Sequence, residues 1–151
     1  MKQSAGILLF KKIKGEIFVL LAHPGGPFFK NKDAGVWSIP KGEFDDTENA
    51  WVAAIREFEE ETGIKLKGDF IDLSPVKLKS GKTVFAWAME KDIDAKTIRS
   101  NSFQIEWPPK SGKIQSFPEI DRAEWFSADE ALKKINAAQA SFIQQLVSML
   151  E

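Results

Sequence analysis

Apolar residues fall in short blocks along the chain, and the spacing inside each block indicates the element it forms. From Ala5 to Ala22, two stretches rich in Ile, Leu, Val and Phe flank Lys14-Gly15. They read as two strands of a hairpin, with the glycine supplying the turn. His23 to Gly35 interrupts the pattern with Pro24, Gly25, Gly26 and Pro27 and is predicted to be an exposed loop leading to Trp37. Between Thr47 and Thr62 the period becomes helical. Ala50, Ala53, Ala54 and Phe58 share a face, Asp46 or Thr47 offers an N-cap, and Gly63 is a C-terminal stop.

Further on, Asp69 to Leu78 and Lys82 to Glu90 read as a second hairpin across Ser80-Gly81. Its second strand alternates through Val84, Ala86 and Ala88, and Pro75 marks the first as an edge or bulged strand. Asp94 to Pro118 shows no clear period and contains Pro108-Pro109 and Ser111-Gly112, so it is predicted to be a long loop with one short strand at most. A short strand at Arg122 to Phe126 follows. Ser127 and Glu130 then stand at capping-box spacing and start a helix near Ala128. One or two helices run to the end, with Leu132, Ile135, Phe142, Leu146 and Leu150 at core-like spacing.

Composition narrows the classes. At 151 residues and 43% hydrophobic, the chain is expected to form one domain, residues 1–151. A net charge of -1 gives no general attraction to polyanions. DNA is therefore not an expected partner, and an RNA 5'-end would need a local basic patch, of which no run is evident. The absence of cysteine excludes disulfides, thiolate metal sites and cysteine nucleophiles. The apolar stretch near Met1 is too short for a signal peptide and no run of 18 apolar residues occurs, so no membrane partner is expected and the cytoplasm is the default location. Oligomeric state is left open.

The chemistry concentrates between Gly42 and Ile64. Gly42 is followed by Glu48 and then by Arg56-Glu57-Phe58-Glu59-Glu60-Glu61-Thr62-Gly63-Ile64. On a helix, Glu57, Glu60 and Glu61 stand at i, i+3 and i+4, so three carboxylates share one face. Alone they repel and raise one another's pKa, whereas a divalent cation makes the cluster favourable. Oxygen ligands of this kind suit Mg2+ or Mn2+, with water and phosphate oxygens completing the shell. Without Gly42, Glu48, Arg56 and Gly63, such a glutamate run would read as a solvated acidic face. Lys41, next to Gly42, is a candidate phosphate contact.

This arrangement resembles the complete signature of the Nudix hydrolases, meeting every fixed position. At ordinary residue frequencies the match would arise by chance on the order of once in ten million chains of this length. The resemblance implies an α/β fold, an α/β/α sandwich with a mixed central sheet. It also implies metal ligands at Glu57, Glu60 and Glu61, a base among these or a downstream glutamate, and Arg56 as a residue that fixes a glutamate rotamer. The implied reaction is water attack on a pyrophosphate bond of a nucleoside diphosphate linked to another moiety. Lys82 to Ala88, together with Pro118-Glu119 before Trp125-Phe126, looks like the diadenosine tetraphosphate hydrolase branch. On that comparison Glu119 is a further metal ligand or water activator, with Glu106 as competitor. The runner-up readings are a nucleoside triphosphate pyrophosphohydrolase and a non-catalytic nucleotide-binding module. That branch stacks an adenine on a tyrosine, and this chain has none. Trp107, Phe28 or Phe29 is the available stacking face, with Lys110 and Lys113 the candidates for distal phosphates. His23, the only histidine, is read as structural or simply exposed.

Overall fold

The computed structural model describes residues 2–151. Strands β1 (Gln3–Ile13) and β2 (Glu16–Pro24) form the expected hairpin, with Lys14 and Gly15 both at positive φ in the turn. On its other edge β1 pairs in parallel with β5 (Thr83–Glu90), which pairs antiparallel with β4 (Ile71–Lys77). β8 (Ile120–Ser127) adds antiparallel to β2. The mixed sheet runs β4-β5-β1-β2-β8, and a sixth strand, β3 (Lys41–Phe44), pairs with Gln3 to Gly6 of β1. β1 therefore shares one edge between two partners: β2 holds Phe10 to Ile13 and β3 holds Gln3 to Gly6. The sheet forks there. β4 is one of the edge strands, and its register shifts between Leu73 and Val76, around Pro75.

Helices cover both faces, so β1 is buried from Ser4 to Phe10 and reads as a continuous apolar run. Ala5, Ile7 and Leu9 point to the side of α1 (Ala50–Thr62), where Ala53, Ala54 and Phe58 meet them. Leu8 and Phe10 point to the side of α2 (Ala128–Lys134) and α3 (Ala140–Leu150), against Ala131, Phe142, Ile143 and Leu146. The result is the α/β/α sandwich. Phe58 and Phe142 are each fully buried, one in either layer, which contributes about 1.5 to 3 kcal/mol apiece by area removed from water.

Four sequence expectations are corrected. The helix begins at Ala50 with Asn49 as N-cap, its side chain accepting from Val52 N–H, because Thr47 is instead turned back onto the Asp45 carboxylate. Asp94 to Pro118 is not a loop with at most one strand. After a 3-10 turn at Ala95–Thr97, β6 (Ser102–Glu106) and β7 (Ile114–Pro118) form a hairpin of their own. The last strand extends beyond Arg122 to Phe126 at both ends. Leu132 is exposed and Leu150 half-buried, whereas Ile135, Phe142 and Leu146 are core. No described helix is long and apolar enough to cross a membrane.

Candidate active site

The capped ends of α1 set where its carboxylates lie. Asn49 satisfies Val52 N–H at the start, and Gly63, at φ 80°, donates its N–H to Glu59 O at the end. Within that frame Ala53, Ala54 and Phe58 hold one side to the sheet, which fixes the side carrying Arg56, Glu57, Glu60 and Glu61 toward β3. Lys41 N–H donates to Glu61 Oε1 at 3.2 Å. Gly42 lies directly under Glu57, since a Cβ built on it would fall 1.7 Å from Glu57 Oε2. The glycine leaves a cradle that the carboxylate fills.

Arg56 organises the glutamates. Its Nε and Nη2 donate to the two oxygens of Glu48, each at 2.8 Å, as a bidentate fork. Nη1 donates to Glu57 Oε1 at 2.8 Å and to Glu60 Oε2 at 3.0 Å. Arg56 consequently touches three carboxylates, and its own pKa is raised further, chiefly by Glu48. Glu48 is held below the ordinary carboxylate value by the same bonds. Glu48 was not among the candidate site residues, although its fixed place eight residues before Arg56 was the signal for it.

Three other carboxylates are pushed the other way. Burial raises Glu57, with Arg56 opposing. Glu61 is pushed up to about 8, first by burial and then by the charge of Glu119. Glu119, at the junction of β7 and β8, is raised by burial and by Glu60. Glu119 therefore belongs to the cluster. Glu106 does not: its carboxylate accepts the N–H groups of Lys110 and Gly112 at the far tip of the β6–β7 hairpin.

A cleft of about 190 Å³ opens between these groups, lined by Pro24, Ser38, Lys41, Glu61, Glu119 and Ile120. Burial lowers the Lys41 pKa first and Lys82 adds to it, with Glu61 opposing. Larger depressions exist, one of about 490 Å³ between the β1–β2 turn, α2 and α3, but its lining carries no residue of the glutamate cluster. Two residues without any local sequence signal shape the cleft. Buried Gln139 accepts Ile39 N–H through Oε1, and Asn101 N–H donates to Glu60 O while Asn101 O accepts from Glu119 N–H. His23 is structural. It is fully buried, with Nδ1 2.9 Å from Asp121 Oδ1, Nε2 2.7 Å from Lys32 O, and its ring edge-on to Trp37. Trp107 and Lys110 sit on the β6–β7 hairpin, apart from the carboxylates, with Trp107 against Phe28.

The donor set fits a divalent cation. It is all carboxylate oxygen, Glu57 lies in a cradle shaped for it, and Glu61 is costly to ionise there without a positive charge nearby. Glu57, Glu60, Glu61 and Glu119 are the residues that would hold Mg2+ or Mn2+. Among the described residues no three such groups stand at ligating spacing, and Arg56 Nη1 donates to both Glu57 and Glu60.

Residues 1–146 match the NUDIX domain family model, and the chain belongs to that family. Among curated relatives, it is 40% identical over 75 residues to the rat bis(5'-nucleosyl)-tetraphosphatase [asymmetrical], covering 45% of this chain and 51% of that protein. It is 30% identical over 113 residues to Nudix hydrolase 7 of Arabidopsis thaliana, covering 70% of this chain and 38% of that protein. The chain thus spans about half the length, or less, of the curated relatives it matches. Its fold is that of a C. elegans Ap4A hydrolase, with TM-score 0.65 at 23% identity over 99% of this chain and 98% of that one. The NUDIX domain of Shewanella oneidensis NrtR, solved with ADP ribose, aligns with TM-score 0.64 at 18% identity over 99% and 88%.

Proposed function

We propose that the protein hydrolyses a pyrophosphate bond in a nucleoside diphosphate linked to another moiety, with a dinucleoside polyphosphate as its substrate. The observation that carries this reading is the convergence of Glu61, Glu119 and Lys41 on one cleft, with the charges of Glu57 and Glu60 felt at Glu61 and Glu119, in a chain that keeps every residue of the family signature. The similarity to the rat tetraphosphatase supports the choice of substrate.

In this reading Arg56 orients Glu57 and Glu60, and the Lys41 ammonium balances phosphate charge at the cleft floor. The water oxygen bonds to one phosphorus as the bridging P–O bond breaks. The leaving phosphate departs with the bonding electron pair, and the water proton passes to a carboxylate of the cleft, Glu61 or Glu119. A divalent ion, when bound, supplies charge neutralisation on the phosphoryl oxygens.

The test is product analysis with magnesium or manganese and a panel of dinucleoside polyphosphates, nucleoside triphosphates, ADP-ribose and capped RNA, with Glu60→Gln alongside. Fast cleavage of the dinucleoside class, lost in the variant, is the expected result. Preference for triphosphates would replace the substrate, and nucleotide binding without any cleavage would make the protein a binding module.

A further inference from the structure

Several aromatic rings of the molecule are covered by a cation of the chain itself. Lys11 Nζ lies 4.3 Å from the Trp125 ring centroid, Arg122 Cζ 5.0 Å from that of Trp37, Lys32 Nζ 5.6 Å from Phe29 and Lys134 Nζ 6.0 Å from Phe126. At the start of α1 the pattern breaks. Trp51 is 42% exposed and Phe70 and Trp87 are half-buried, yet among the described residues no Lys or Arg stands over any of these three rings.

The three rings are brought together by neighbouring elements. Ala53, Ala54 and Phe58 hold α1 on the sheet, and Trp51 precedes Phe58 by two turns, at the rim of the same side. Trp87 packs toward α1 from β5 and is paired across the sheet with Asp72 of β4. A Cβ on Gly68 would fall 2.9 Å from Met89 Cε, so glycine lets the segment that carries Asp69 and Phe70 lie close on the sheet. The Trp51 and Phe70 rings meet at 87° with centroids 5.7 Å apart, forming two perpendicular walls. A cleft of about 500 Å³ opens there, lined by Trp51, Gly68, Asp69, Phe70, Asp72 and Trp87. Both aspartates are exposed, and among the described residues neither forms an ion pair. The cleft shares no lining residue with the one that holds Glu61 and Glu119.

We propose that this second cleft binds a small quaternary ammonium ion, a cation of the choline class, held by Trp51, Phe70 and Trp87 and balanced by Asp69 and Asp72. The site stands apart from the hydrolase reading and does not depend on it. The negative faces of aromatic rings attract a cation, and here the chain provides none of its own. Two carboxylates without a positive partner add to the same field, which favours a cation and repels any phosphate, so the rings are no second nucleotide position. A primary ammonium brings three N–H donors and a firm hydration shell that this mostly aromatic lining does not replace. A quaternary ammonium has no donor to satisfy and gives up water readily. The volume lies in the range of small-molecule sites and admits the whole ion.

The experiment titrates choline chloride into the full chain and, in parallel, the neutral isostere of choline in which a quaternary carbon replaces the nitrogen. Ionic strength is held constant with sodium chloride, and binding is read from the indole N–H signals of the five tryptophans by NMR. Saturable shifts at Trp51 and Trp87 are expected, with choline bound about tenfold more tightly than its isostere. Trp51→Leu keeps apolar bulk but removes the ring, and should weaken choline about tenfold as read at Trp87, with Trp51→Phe recovering part of the loss. Asp72→Asn, a change at an exposed position, should weaken it about threefold. Equal affinity for the two compounds, shifts confined to other tryptophans, or no saturable shift overturns the site. So does choline affinity that is unchanged in both Trp51→Leu and Asp72→Asn.

Discussion

Helices α1 and α3 press on opposite faces of one sheet, yet they are held there by different means. α3 buries Phe142, Ile143 and Leu146 and has no side-chain bond at its N-cap. α1 buries Ala53, Ala54 and Phe58 but also Glu57, Glu61 and Thr62, and it is tied at both ends by Asn49 and Gly63. Where a helix gives half of its buried positions to polar chemistry, caps and ion pairs replace packing as the means of placing it. On the proposed reading, the carboxylate face of α1 suits a bound cation at some cost to the metal-free fold.

Four substitutions or conditions probe that contrast. Glu60→Gln should lower kcat by about 10³-fold, roughly 4 kcal/mol of transition-state stabilisation, with an unchanged Tm in steady-state and thermal assays. A near-normal rate would remove Glu60 from the chemistry. Phe142→Ala should cost about 3 to 5 kcal/mol of stability by chemical denaturation and leave kcat in place, since Phe142 does not line the cleft and packs on the side of the sheet opposite α1. A comparable loss of kcat in folded protein would show that the layers are coupled. Gly42→Ala puts a methyl where the Glu57 carboxylate lies, and displacement of that side chain should reduce kcat/KM by about 10²-fold with little loss of fold.

The last condition is the pH of the metal-free protein. Glu61 titrates near 8 when folded against 4.5 ordinarily, so the folded state binds the extra proton between those values. Stability then falls as pH rises from 4.5 to 8, the sign set by more protons bound folded than unfolded. Glu57 and Glu119, also raised, act in the same sense. Thermal melts with chelator should show a Tm decline on the order of 10 °C across that window, and added magnesium should restore more at pH 8 than at pH 5. A flat profile would mean that Glu61 is not buried as an acid.

How much of this was legible depended on the range of the interactions. The glutamate cluster and the Gly63 stop are local, fixed by spacing within one helix, and were read directly. The N-cap was misplaced because Asp46, Thr47 and Asn49 are all capping types, and the Asp45–Thr47 turn decides among them. β3 is four residues, one glycine and two charged among them, and becomes a strand only because β1 offers an edge. The alternation of Phe103, Ile105 and Trp107 was present, but Pro108-Pro109 masked the hairpin that it forms. Glu119 was placed by resemblance alone; its closeness to Glu60 depends on backbone bonds through Asn101, which carry no side-chain signature.

The forked central strand also has a consequence for how the chain reaches its native state. β1 finds its parallel partner β5 about 80 residues later, so the ribosome releases β1 and β2 well before the second edge of β1 can close. In that interval Ser4 to Phe10, uncharged and free of proline, is an open template for other nascent chains. Arrival of β5 is the step that separates productive folding from aggregation, and the strand at the centre of the finished sheet is the point of greatest exposure while the sheet is being made.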